Sequence, residues 1–257
     1  MNSLFSGFCV AFSMYSFIPM PQLEWDKKTM RYALCFLPLI GVLIGVCEYI
    51  WFLFCSHFQA NTLFYAIGAT LLPVLISGGI HLDGLTDTSD ALGSHSEPDR
   101  RLEIMKDPHV GAFGVLGMVA FLMGETALFA QLYQTPAYLF LALSGFTLAR
   151  IAGGRTIVSI PCAKNTGLAY IFAENSEKQR TKQAMLVELI FAFVLLLAIS
   201  RSFWVIGCIV GVVLWMLGHA RLCQVRFGGI TGDLAGFFIS ITELLVLFIA
   251  VIGGLCT

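Results

Sequence analysis

Residues 78–111 read GGIHLDGLTDTSDALGSHSEPDRRLEIMKDPHVG. Five Asp and two Glu stand here beside two Arg, one Lys and three His, in a chain that is otherwise mostly apolar. Asp83, Asp87 and Asp90 are spaced i, i+4, i+7, which sets them on one face of a helix. Three like charges on one stripe repel, so an isolated helix with this pattern is destabilised. A divalent cation removes the conflict, and hard carboxylate oxygens select Mg²⁺, Mn²⁺ or Ca²⁺ over softer metals. Glu103, Lys106 and Asp107 repeat the arrangement at i, i+3, i+4. The competing reading is a solvated acidic surface beside a membrane. Helical register, and the Gly78-Gly79 junction to an apolar run, favour a site.

The surrounding chain decides the fold class. Of 257 residues, 58% are hydrophobic and only 12% charged, about half the charge of a soluble domain. Mean hydropathy is +0.84. This composition predicts an all-α, polytopic integral membrane bundle forming a single domain over 1–257. A span needs about 20 apolar residues. About seven are expected, over 33–55, 62–80, 111–133, 137–160, 184–200, 203–218 and 234–255, the fifth and sixth forming a short helical hairpin around Arg201. Residues 1–19 lack a basic start and a cleavage site, so no signal peptide is read there. A short interfacial or re-entrant helix fits instead, ended by Pro19 and Pro21. The eight Cys lie mostly in apolar runs without a C-x-x-C pair, and read as small core residues. A net charge of −1 suggests no nucleic-acid partner.

Seven spans would put the stretch before the first span, 81–110, 161–183 and 219–233 on one side. That side holds Lys27, Lys28, Arg31, Arg100, Arg101, Lys106, Lys164, Lys178, Arg180, Lys182, Arg221 and Arg226, against Arg201 alone on the other. The bias places the first side, with its motif segments 78–111, 161–183 and 219–233, in the cytoplasm.

Further candidates lie on the same side. Arg150 sits two to three turns deep in the fourth span, where burial calls for a carboxylate or phosphate partner. Arg155 can snorkel. PCAKNTG at 161–167 reads as a tight polar turn carrying Lys164. RFGGITGD at 226–233 offers Arg226, three glycines (Gly228, Gly229, Gly232) and the Thr231 hydroxyl before a helix, a plausible phosphate cradle. Gly-rich turns before helices are common, and Asp233 could equally be an N-cap. Glu48, Glu125 and Glu243 lie inside spans and need a function or a partner. His81 and His109 are weaker signals beside the acidic cluster.

Carboxylates, basic residues and a Gly/Thr loop together suggest metal-assisted transfer of a phosphoryl-linked group with release of a nucleotide. GGIHLDGLTDTSDAL, RRLEIMKDPHVGAFGVLG and GGITGDLAG with a downstream Glu243 resemble the cobalamin synthase (adenosylcobinamide-GDP ribazoletransferase) family. FLPLIG at 36–41 and PCAKNTGLA extend the resemblance through most of the chain. The family often has Arg where Lys164 stands, so charge is kept and bidentate phosphate geometry lost. It commonly has Gly-Ala after the Leu of the TGD block, where this chain has Gly236-Phe237 following Ala235.

The resemblance implies reaction of adenosylcobinamide-GDP with α-ribazole or its 5′-phosphate. The products are adenosylcobalamin or its phosphate, plus GMP, with Mg²⁺ required. On that footing Asp83, Asp87 and Asp90 are expected to hold the metal with Asp233 or Asp107. One of these carboxylates or Glu103 would take the hydroxyl proton. Arg100, Lys106, Arg150, Lys164 and Arg226 would hold diphosphate, and the 228–232 loop the leaving phosphate. Small-molecule substrates and the lipid bilayer are the expected partners, with room for a homo-oligomer. A CDP-alcohol phosphotransferase is the nearest alternative, but D-x-x-D-G-x-x-A-R is absent. An ion-coupled transporter using the intramembrane Glu residues is the other, and polar motifs gathered on one face argue against it.

Overall fold

The apolar runs of the sequence fold as helices in the computed structural model, which describes residues 3–200 and 202–256. Eleven α-helices follow one another: α1 (Ser3–Tyr15), α2 (Leu37–His57), α3 (Thr62–Ser77), α4 (Ile80–Gly93), α5 (Pro98–Ile104), α6 (Ala112–Gln134), α7 (Leu139–Ser159), α8 (Leu168–Asn175), α9 (Lys178–Ser200), α10 (Trp204–Phe227) and α11 (Gly232–Leu255). Among the described residues no strand forms, and the sole β feature is an isolated parallel bridge between Cys162 and Ile230. Six helices are long and apolar enough to cross a membrane, and a seventh span is reached if α3 and α4 count together. The chain is therefore an all-α polytopic membrane protein.

The bundle has a clear inside. In their most apolar 18-residue stretches, 72% of the span 136–159 and 61% of α11 is buried, against 22% for α6, α9 and α10. α7 packs on α2, α9 and α11, and apolar side chains of the outer helices, such as Leu116, Phe191 and Leu214, point away from the protein. That exposure suits hydrocarbon and would be unstable in water.

Two departures from the sequence reading matter for the site. α9 begins at Lys178 and α10 continues to Phe227, so the expected short hairpin is two full-length helices. The segments 161–183 and 219–233 are correspondingly helical in large part, with α8 and the ends of α9 and α10 inside them. Lys, Arg and Gln are good helix formers, so the helix outlasts the apolar pattern at the membrane edge. Arg201, expected at the hairpin tip, lies outside the described residues. The N-terminal helix is present as α1, with Cys9, Val10, Ala11 and Phe12 buried, against the 3₁₀ turn Ala33–Phe36 and α2.

The aspartate stretch breaks away from its span. Gly78 and Gly79 both take positive φ, 71° and 74°, a left-handed conformation that side-chain-bearing residues avoid. The axis turns by 98° there, so α4 leaves the spanning direction. It runs across the N-terminal ends of α11 and α6, along one polar rim of the bundle.

Candidate active site

The aspartates are brought together by a helix contact that only glycine permits. At Gly84 on α4 an added Cβ would lie 2.6 Å from the Asp233 carbonyl oxygen of α11. Across the contact, Gly236 lies against the His81 backbone, with a Cβ position 3.3 Å from the His81 Cα and 3.4 Å from the Gly84 Cα. The glycines of HLDGLTD and TGDLAG thus let two backbones touch, with Asp83 and Asp87 on one and Asp233 on the other. Gly84→Ala is expected to cost about 1–3 kcal/mol through overpacking and to move Asp233 away from α4. A lower melting temperature together with a turnover loss would register it.

Two carboxylates respond to this proximity, Asp87 and Asp233, both raised first by burial. Asp87 is half-buried, and burial, followed by the charges of Asp83, Asp233 and Asp90, pushes its pKa up to about 7. Asp83 is exposed and Asp233 half-buried. Asp90 has a different task. Its Oδ2 accepts the Gly111 N–H at 2.9 Å and its Oδ1 the Gly114 N–H at 3.2 Å. It therefore caps α6, a use of its lone pairs that the stripe of i, i+4, i+7 spacing does not reveal. Among the described residues no three His, Cys, Asp or Glu side chains form a ready-made metal cage. What remains is an all-oxygen set of few carboxylates, the type that binds Mg²⁺ jointly with substrate phosphates.

Beside Asp233 opens a cavity of about 440 Å³, lined by Lys106, Lys164, Thr166, Tyr170, Thr231 and Asp233 among others. Two elements build it. The turn 161–163 pairs with the Gly-rich loop, Ile230 N–H donating to Pro161 O at 2.9 Å and Ala163 N–H to Ile230 O at 3.0 Å. This pairing sets Lys164 beside the N-terminus of α11. There the N-cap is Thr231, not Asp233, its Oγ1 accepting the Leu234 N–H at 3.2 Å. Asp233 sits in the first helical turn instead. Thr231 and Gly232 line the cavity, where the helix terminus favours an anion.

The expected cradle is corrected in one respect. Gly228 and Gly229 do not line the cavity. Gly228, with φ 72°, ends α10, and the Gly229 N–H donates to Cys223 O at 3.0 Å. They shape the turn, while Thr231 and Gly232 face the cavity.

Several expected site residues lie elsewhere. Arg100 pairs with Glu103 at 2.8 Å, both side chains over 60% exposed, and neither lines the cavity. Asp107 accepts from the His109 N–H at 2.9 Å on the surface. Arg226 is exposed, and its carbonyl accepts from Arg101 Nη1 at 3.2 Å. Arg150 is buried in the bundle, where it donates to Glu243 and to Phe146 O. Its partner is thus the carboxylate that its depth demanded, and it is withdrawn from any diphosphate. Arg155 is half-buried and donates to Lys182 O at 2.7 Å.

The sequence reading missed three residues. Arg101 is buried over the Phe227 ring and ties α5 to α10. Its signal was the inward pair Leu102 and Met105 on the same short helix. Thr166 and Tyr170 were hidden because the PCAKNTG turn leads straight into α8.

Comparison with known proteins fits this arrangement of motifs. The cobalamin-5-phosphate synthase family model matches residues 7–251. The chain belongs to the cobalamin-5-phosphate synthase family. The chain is 35% identical to an adenosylcobinamide-GDP ribazoletransferase of Lachnoclostridium phytofermentans, over 95% of this chain and 91% of the relative. It is 33% identical to the protein of that name from a Geobacillus species, over 95% and 94%. No solved structure matches. HLDGLTD and GGITGDLAG, two segments within the matched range, meet at Gly84.

Proposed function

We propose that this cobalamin synthase family member acts as an adenosylcobinamide-GDP ribazoletransferase, working at the cytoplasmic face of the prokaryotic inner membrane. It transfers the phosphocobinamide moiety to α-ribazole or its 5′-phosphate and releases GMP. The observation that carries the reading is the basic cavity at the α11 N-terminus, lined by Asp233, whose backbone touches α4 at Gly84. Lys106, Lys164 and the Thr231–Gly232 helix end suit a diphosphate. The acceptor 3′-hydroxyl oxygen forms a bond to the cobinamide-bound phosphorus, and the bond from that phosphorus to the GMP oxygen breaks. Asp83 is the carboxylate placed to take the hydroxyl proton, while Lys164 and Lys106 meet the charge left on GMP.

With Asp83 kept for the proton, Asp87 and Asp233 would hold Mg²⁺ together with diphosphate oxygens. The ion would neutralise phosphate charge during transfer. Ionised Asp87 is the form that binds a cation, and its pKa near 7 makes a proton the competitor. Without a cation, the raised pKa means stability falls as pH rises from about 4 to 7, since the folded chain binds the extra proton. Mg²⁺ is therefore expected to raise the melting temperature more at pH 8 than at pH 6. Equal shifts at both values would remove Asp87 from the cation site.

The deciding assay uses protein in nanodiscs with adenosylcobinamide-GDP, α-ribazole, and either Mg²⁺ or EDTA. Equal amounts of cobalamin and GMP, formed with Mg²⁺ and not with EDTA, are expected. Absence of both products with Mg²⁺ would overturn the reading. Lys164→Ala should raise the KM for the GDP-linked donor about tenfold, the effect of losing one charge-assisted phosphate contact.

A further inference from the structure

On the opposite side of the aspartates lies a second, larger cleft of about 780 Å³. It is bounded by the end of α1, the α3–α4 bend and the first half of α6, and Ser13, Phe17, Asp83, Thr86, Val110 and Met118 line it. No Lys, Arg or His lines it, in contrast to the basic cavity beside Asp233. The cleft is held in shape by backbone. The Phe17 N–H donates to Ile76 O at 2.9 Å, which fixes the chain leaving α1 against α3. The Phe17 ring lies beside the bend, 3.6 Å from where a Cβ on Gly78 would sit. It is 74% exposed, an aromatic face left free at the cleft mouth.

The two cavities are related by the chemistry between them. Asp83 lines the large cleft and Asp233 the basic cavity. α4 and α11 touch between them at Gly84. Displacement at phosphorus needs the attacking and leaving oxygens roughly in line, on opposite faces of the phosphoryl group. If the leaving nucleotide phosphate occupies the basic cavity, the attacking hydroxyl must arrive from the Asp83 side. A cleft without a basic side chain, with apolar walls, a free aromatic face, a few hydroxyls and the Asp83 carboxylate, suits a neutral heteroaromatic ring joined to a sugar.

Resting on the reaction proposed above, we infer that this cleft binds the acceptor nucleoside, its base against Phe17 and Met118 and its ribose toward Asp83. Two variants test it in full-length protein in nanodiscs. Met118→Trp fills the cleft, and Phe17→Ala removes the aromatic face. Each is expected to raise the KM for α-ribazole about tenfold or more while the KM for adenosylcobinamide-GDP stays within about twofold. Calorimetry with α-ribazole alone, without donor, should show the same loss of binding. Melting curves matching the unaltered protein establish that the variants fold. A change in donor KM with acceptor KM untouched, or no change in either, overturns the assignment, as does a cleft that takes up only lipid. Failure of the unaltered protein to turn over would instead sink the reaction, and α-ribazole binding measured without donor still reads the cleft.

Discussion

Asp87→Asn should abolish turnover, by about 10³-fold or more, while leaving the melting temperature unchanged or raised. The two halves of this result have one cause. Asp87 is penalised by burial and by the charges of Asp83, Asp233 and Asp90, so a neutral isostere relieves the folded state at neutral pH. The same charge is what a cation or a reacting proton would use, and losing such a group typically costs 10²–10⁴ in rate. Stability and activity are to be measured on the same preparation. A variant that keeps full Mg²⁺-dependent activity would take the carboxylate cluster out of the chemistry. A variant that unfolds would show that Asp87 makes contacts the charge argument misses.

Removing one partner of the Arg150–Glu243 pair is expected to have the second large effect, on folding. Arg150 is 1% exposed on α7, the most buried helix, and Glu243 lies on α11, which carries Asp233. Glu48 and Glu125 are buried near Glu243, and neither oxygen of Glu48 has a hydrogen-bond partner. Arg150 is thus the cation paired with Glu243 inside the bundle. Arg150→Met leaves the buried Glu243 carboxylate uncompensated and should destabilise by about 3–5 kcal/mol. Glu243→Leu strands the guanidinium and should cost about as much. The double variant replaces the pair with apolar groups and should recover much of the loss. Melting temperatures of the three proteins give the coupling directly. Simple additivity of the two single losses would mean that the residues do not act as a pair. Because α11 carries Asp233 at its other end, the single variants should also lower activity in protein that remains folded.

How far the sequence reached is clearest at particular residues. The spans were legible because hydrocarbon admits only long apolar helices, and apolar length survives in sequence. Their ends were not, since Lys178 and Arg226 extend helices that hydropathy had already closed. Lys164 and Lys106 were legible as basic residues beside a phosphate-like loop, but that they share one cavity depends on the pairing of 161–163 with Ile230. Arg100 and Arg101 are neighbours in sequence, and the step of about 100° between adjacent positions of α5 sends the first to solvent and the second over the Phe227 ring.

By itself, then, the sequence determined the membrane class, the approximate number of spans and the acidic character of the segment at 80–93. Those follow from local composition and spacing. Only the tertiary structure decided which carboxylates lie together. Asp90 is claimed by backbone N–H groups 21 residues away, Arg150 by a carboxylate 93 residues away, and Asp233 is delivered to α4 across a glycine contact. Spacing along one helix says which side chains share a face, but what each face meets is set by helices distant in the chain.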